Sequence, residues 1–177
     1  MKTIAYIDGY NLYYGCLRNS RYKWLNLHKL FDTIINIQNP DSELQKIKYF
    51  TSDVKARYST HGQLAQQAQT RYHNALLKCC PNIEIIKGYH TENISPLPTF
   101  QEGEALDRTQ TTKVWRLEEK QTDVNIALEM YRDAIKSEAQ QIVVVSNDTD
   151  LEPALKMIRN DLNDAIQNRR YCSNWAY

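Results

Sequence analysis

The chain has 177 residues, with 42% apolar and 24% charged side chains, 5 Gly, 5 Pro and 4 Cys. That suits one domain with a sizeable core and excludes collagen-like, low-complexity and disulfide-scaffold classes. The formal net charge is only +1, but residues 1–80 carry 11 Lys and Arg against 5 Asp and Glu, and residues 81–177 carry 11 against 16.

A basic half and an acidic half could pair a polyanion track with a cation site, and chance asymmetry accounts for the split equally well. No run approaches the length of a membrane-spanning helix, and the amino-terminal apolar run is too short for a secretory signal. The expectation is a cytoplasmic protein with no membrane partner. Cys16, Cys79, Cys80 and Cys172 form no C-x-x-C pair. They read as buried or partly buried thiols in preference to zinc ligands.

In chain order, residues 4–7 predict a first strand. Leu27, Leu30, Phe31, Ile34 and Ile35 then repeat at helical spacing across residues 25–37. A strand at 47–50 precedes a second helix over 60–78, whose stripe is Leu64, Ala65, Ala68, Tyr72, Ala75 and Leu76. Residues 83–87, ended by Gly88, form a third strand candidate. Residues 89–120 are polar and hold Pro96, Pro98 and Gly103, so they read as a long loop in which only 114–117 could be a strand.

A helix over 122–135 follows, with Val124, Ala127, Leu128, Tyr131 and Ile135 as its stripe. The run at 142–145 lacks polar alternation, as a central strand buried on both faces does. A helix over 151–158 tolerates Pro153 in its first turn. Residues 160–177 read as a short helix and an irregular end. The alternation predicts an α/β domain around a parallel sheet.

Ligands of such sheets bind at the carboxyl ends of the strands. There the sequence places Asp8-Gly9-Tyr10-Asn11, Ser146-Asn147-Asp148-Thr149-Asp150 and, at the start of the third helix, Glu118-Glu119-Lys120-Gln121-Thr122-Asp123. A carboxylate after a buried-type strand must be solvated, paired or on a metal. Several carboxylates at one edge would repel each other unless a divalent cation neutralised them. Oxygen ligands favour Mg²⁺ or Mn²⁺, which keep waters and meet phosphates in phosphodiester cleavage. Taken singly, Asp148 or Asp150 could instead cap the last helix, Asp123 could serve the helix dipole, and Asp8-Gly9 could be a turn.

Contacts to a polyanion are fewer. Lys120 stands beside Asp123, where a cation could meet the scissile phosphate. Lys55 and Arg57 follow the second strand, in a loop that could touch phosphates or simply face solvent. The 12 Tyr include Tyr10, Tyr13, Tyr14, Tyr22 and Tyr58. Exposed members could stack on unpaired bases while most are expected to pack in or against the core, and Trp115 is the aromatic expected to be exposed.

Asp8-Gly-Tyr-Asn11-Leu12 with Gly15, Glu119-Lys120-x-x-Asp123-Val124-Asn125-x-Ala127, and Ser146-Asn147-Asp148-x-Asp150-Leu151 resemble the NYN domain family of PIN-like nucleases. The likeness spans residues 2–159, including Tyr89-His90, within one expected domain of residues 1–177 whose tail, 160–177, is atypical. It implies a three-layer α/β/α fold with a central parallel sheet of four or five strands in order 3-2-1-4-5. It also implies that Asp8, Asp123, Asp148 and Asp150 hold Mg²⁺ or Mn²⁺ with Asn11 beside them, while Ser146 or Asn147 orients a carboxylate or water.

The activity implied is metal-dependent endoribonuclease cleavage of single-stranded or structured RNA, leaving 5′-phosphate and 3′-hydroxyl ends. A non-catalytic RNA-binding or adaptor module on the same fold is the alternative. A phosphotransferase using Asp8 as nucleophile is a further rival, although such enzymes commonly need a second acid at position 10, where this chain has Tyr. PIN-like domains often dimerise, so a homodimer is a possible partner by analogy, while the sequence does not decide between monomer and dimer. The family often has Gly where this chain has Gln121, and relatives usually continue into a fifth strand that residues 160–177 do not offer.

Overall fold

The computed structural model describes residues 1–162. Four parallel strands form the central sheet: β1 (Lys2–Asp8), β2 (Glu43–Thr51), β3 (Ile83–Lys87) and β6 (Gln141–Val145), in the order β3-β2-β1-β6. The expected spatial order, first strand between the second and the last parallel strand, is therefore present. A fifth strand, and the short helix expected in the tail, fall largely on residues outside those described.

Strand periodicity explains the two cores. Ala5 and Ile7 of β1 point to one face with Ile47, Tyr49, Val143 and Val145. There α2 (Leu27–Gln38) buries Leu27, Phe31 and Ile35, and α3 (Gln63–Cys79) buries Leu76. Ile4 and Tyr6 point the other way with Phe50 and Ile142. They meet Ile126, Met130 and Ala134 of α4 (Thr122–Ile135) and Ile158 of α5 (Glu152–Leu162).

Each large side chain so buried contributes about 1.5–3 kcal/mol. Truncating Phe31 to Ala would cost about 3–5 kcal/mol by leaving a cavity between α2 and the sheet. The start of α2 is fixed by Asn26, whose side chain accepts from the Lys29 amide at 3.0 Å.

Three features differ from the sequence expectations. Residues 89–120 are not a loop but an antiparallel hairpin, β4 (Tyr89–Pro98) with β5 (Thr111–Lys120). Its faces lie largely in solvent, so no apolar face writes a period of two, and two prolines in β4 mask the strand further. The strand expected to be central, β6, is the last in the sheet among the described residues. Its apolar run reflects helices packed on both faces. The chain also turns straight from β1 into a helical turn α1 (Gly9–Leu12) and a π-helical turn, Tyr13–Leu17.

Cys80 is buried as expected, but Cys16 and Cys79 are exposed. No described helix is long and apolar enough to cross a membrane.

Candidate active site

Chain direction makes the site. From β1 the chain proceeds to β2 on one side, while β6 pairs with β1 on the other. This reversal opens a crevice beyond the carboxyl ends of β1 and β6, the usual ligand position in open α/β sheets. Asp8 ends β1 on one side of it, and Ser146 to Asp150 follow β6 on the other.

Asp8 is buried, and both its oxygens are engaged. The Asn11 amide donates to Oδ1 at 2.9 Å, and the Asn11 side-chain amide donates to Oδ2 at 2.5 Å. Ser146 Oγ donates to Oδ2 at 3.3 Å and accepts from the Asp148 amide at 3.1 Å. One hydroxyl thus links the two strand ends.

The tight turn needs Gly9, where a Cβ would lie 2.6 Å from the Tyr49 ring and 2.8 Å from the Phe50 carbonyl oxygen. Asp148 Oδ1 accepts from the Asp150 amide at 2.8 Å, capping the short turn Thr149–Leu151. The capping role foreseen as a rival is therefore real and occupies one of its oxygens. Asp150 itself is exposed. Exposed Asn147 lies beside Gly15, with its Nδ2 3.4 Å from where a Gly15 Cβ would stand.

Asp123 arrives from the opposite layer. It lies in the first turn of α4, on the stripe continued by Ile126, Met130 and Ala134, so it is turned toward the sheet. Burial raises its pKa above the ordinary aspartate value, and the charges of Asp148, Asp8, Glu119 and Asp150 raise it further. Five carboxylates therefore sense one another here, against the favourable helix amino-terminus.

Gln121, just before α4, has φ +75°, the left-handed conformation that glycine adopts without cost. The turn thus takes the shape a glycine would favour despite the departure from the family pattern.

Glu119 was legible only as part of a motif, and the structure gives it a place. Its Oε1 accepts from Ser52 Oγ at 2.9 Å and from Thr122 Oγ1 at 2.5 Å. It tethers the base of the hairpin to the end of β2 and to the start of α4. His90, opposite Glu119 across the hairpin, has Nε2 3.5 Å from Ser52 Oγ. Gly88 permits this junction, because a Cβ there would lie 2.5 Å from the Lys120 carbonyl oxygen.

The basic residues are placed less tightly. Lys120 Nζ pairs with Glu118 at 2.6 Å, turned to that neighbour in preference to Asp123. Arg57 lies over Trp115 at 4.4 Å and pairs with Glu92 at 4.0 Å, so it is committed to the hairpin. Lys55 is exposed, and Tyr10 donates its hydroxyl to the Ser52 carbonyl oxygen at 3.2 Å. Trp115 is exposed as expected, but Trp24, Tyr14 and Tyr22 are exposed to a similar degree.

Among the described residues, no three carboxylate, imidazole or thiol groups close on one point at metal-ligand spacing. The donor chemistry nevertheless fits a hard cation. All candidate donors are oxygens, Asp123 is raised by neighbouring anions, and among the described residues none of the ion pairs includes Asp8, Asp123, Asp148 or Asp150. An ion of the Mg²⁺ class, which keeps several waters, suits such a sparse set of carboxylates.

A family model described as NYN domain matches residues 2–163. The chain is 39% identical over 175 residues to 6-hydroxy-3-succinoylpyridine 3-monooxygenase HspA of Pseudomonas putida (strain DSM 28022 / S16), covering 90% of this chain and 56% of that protein. The chain therefore spans little more than half the length of that relative. No solved structure matches.

Proposed function

The chain belongs to the NYN domain family, and from that premise we propose that it is a metal-dependent endoribonuclease acting at the β1/β6 crevice. The observation that carries this reading is that Asp8, Asp123 and Asp148, from three separate elements, border one crevice closely enough for the charges of Asp148 and Asp8 to raise Asp123. Asp8, Asp123, Asp148 and, at the exposed margin, Asp150 would hold Mg²⁺ or Mn²⁺. Bound there, the cation would polarise the phosphodiester and make a water nucleophilic at neutral pH.

The chain's own part is positional. Asn11 fixes both oxygens of Asp8, and Ser146 holds Asp8 and the Asp148 backbone in one register. Glu119 fixes the entry to α4 and with it Asp123. In the reaction proposed, water adds to phosphorus, the bond to the 3′ oxygen breaks, and that oxygen takes a proton. Lys120 would contact the phosphate after leaving Glu118. The engagement of both Asp8 oxygens weighs against Asp8 as a phosphorylated nucleophile.

The test is cleavage of labelled single-stranded RNA with Mg²⁺ or Mn²⁺ against EDTA, beside Asp148→Asn. Asparagine keeps the Oδ1 acceptor for the Asp150 amide, so the fold should persist while cutting is lost. Unchanged turnover in that variant would sink the assignment. Retained RNA without cutting would favour the binding or adaptor module.

The named activity of the 39% identical relative supports a second reading, insertion of one oxygen atom from O₂ into a hydroxypyridine. That reaction needs a two-electron reductant. Oxygen uptake dependent on both 6-hydroxy-3-succinoylpyridine and a reduced nicotinamide would replace the nuclease reading.

A further inference from the structure

The helical segment that leaves the acidic site carries a line of aromatic and basic side chains that the site's chemistry does not use. Tyr10, two residues after Asp8, stacks on Tyr14 with ring centroids 5.9 Å apart and an interplanar angle of 23°. Tyr13 meets the Tyr14 ring edge-on at 5.1 Å, and the Arg18 guanidinium stands over it at 5.4 Å.

Tyr10, Tyr14 and Arg18 follow one another at intervals of four residues along α1 and the π-helical turn Tyr13–Leu17, so their side chains share one face. The turn closes with the Arg18 amide on the Tyr13 carbonyl at 2.7 Å. The innermost member is fixed, since Tyr10 is held by its bond to Ser52 and by His90 edge-on at 6.2 Å. The outer member is open, with Tyr14 57% exposed. The same turn passes Asn147 at Gly15, so the line begins at the acidic crevice and runs outward from it.

We infer that Tyr14, backed by Tyr10, is a stacking platform for an unpaired base of the strand that enters the acidic site, with Arg18 taking the adjoining phosphate; this rests on the polynucleotide reading above. Arg18, 5.4 Å from the ring centroid, is within cation–π range, but among the described residues it joins no ion pair that would fix it there. A base can therefore displace it from the ring face onto a neighbouring phosphate. Arg57 over Trp115 is the contrast, closer to its ring and paired with Glu92. Aromatic faces accept any base, so the platform selects unpaired over paired strands and is indifferent to sequence.

The test is equilibrium binding, by fluorescence anisotropy, of a labelled oligouridylate and an abasic strand of equal length, with Mg²⁺. All variants are made in the Asp148→Asn background so that nothing is cut. Tyr14→Ala should weaken oligouridylate binding about tenfold and leave the salt slope alone. Tyr14→Trp should restore it, and the abasic strand should bind all three alike. Arg18→Gln should shallow the log–log salt slope by about 0.7, the value for one phosphate on a single strand.

Equal affinity of Tyr14→Ala and its parent, or an equal loss on the abasic strand, overturns the platform alone. Failure of the chain with Tyr14 intact to bind any strand overturns the polynucleotide reading and the platform together.

Discussion

Asp133 sits on α4, fully buried, where its Oδ2 accepts from the Tyr6 hydroxyl at 2.6 Å and from Lys48 Nζ at 2.5 Å. Lys48 is itself buried in β2 and reaches Glu129 at 2.6 Å, while Arg132 flanks both acids. Asp133→Ala would leave a buried ammonium with one carboxylate and a buried phenol with no acceptor. Removing one partner of a buried pair costs about 3–5 kcal/mol. Glu129 remains and is partly exposed, which puts the expectation near 3 kcal/mol, a drop in Tm of roughly 6–12 °C for a chain of this size.

Replacing all three apolar-fashion, with Tyr6→Phe, Lys48→Met and Asp133→Leu together, should instead stay within about 2 kcal/mol of the parent, because no orphaned group is left behind. Urea unfolding followed by far-UV circular dichroism measures each variant. If Asp133→Ala stays within 1 kcal/mol of the parent, water screens this cluster as it does a surface pair, and the reasoning fails. The outcome bears on the site, since the same helix carries Asp123 nearly three turns earlier.

Gly9→Ala should cost about 1–3 kcal/mol and lower turnover about a hundredfold, because the added methyl meets the Phe50 carbonyl and displaces Asp8; a fully active variant would contradict the packing. Folded Asp123 keeps its proton to higher pH than the unfolded chain does, so stability declines as pH rises from the ordinary aspartate range through the raised folded value. Asp123→Asn should therefore raise Tm at neutral pH in EDTA, and a lower Tm would show that its neighbours do not repel it.

Buried His73, edge-on to Tyr49, has its pKa lowered chiefly by burial, so stability is full above the ordinary value of 6.5 and is lost as pH falls from there through the lowered folded value. His73→Phe should flatten that acid limb in Tm measured against pH, whereas an unaltered limb would assign it to other groups. Gln121→Gly relieves a left-handed strain of about 1–2 kcal/mol and loosens the unfolded chain by about 0.4–1 kcal/mol, so urea unfolding should show a gain between nothing and about 1.6 kcal/mol.

The parallel sheet was legible because each of its strands and covering helices has an apolar face, and that face writes a period into the sequence. Strand ends were legible for the same reason, and Asp8 and Asp148 could be placed at one edge without coordinates. The hairpin was not legible, since β4 and β5 bury little and leave no period behind. With it went the position of Glu119, which is fixed by Ser52 and Thr122, residues far from it or silent as motifs.

The π-helical turn was equally hidden. No helix was expected over residues 9–17, so the four-residue spacing that puts Tyr10, Tyr14 and Arg18 on one face went unread. Lys120 and Arg57 were credited to phosphate by proximity in sequence, which could not reveal the acids, Glu118 and Glu92, that hold them in the folded chain.

The order of the strands also sets when the site can exist. β1 can pair with β2 once about 50 residues have left the ribosome, but the crevice has no far wall until β6 docks on the opposite edge of β1. Asp8, Asp123 and Asp148 lie in three distant parts of the chain, so mutual repulsion among them arises only with the last strand of the described sheet. On the nuclease reading proposed above, a nascent chain would be inert toward its own messenger until β6 docks against β1.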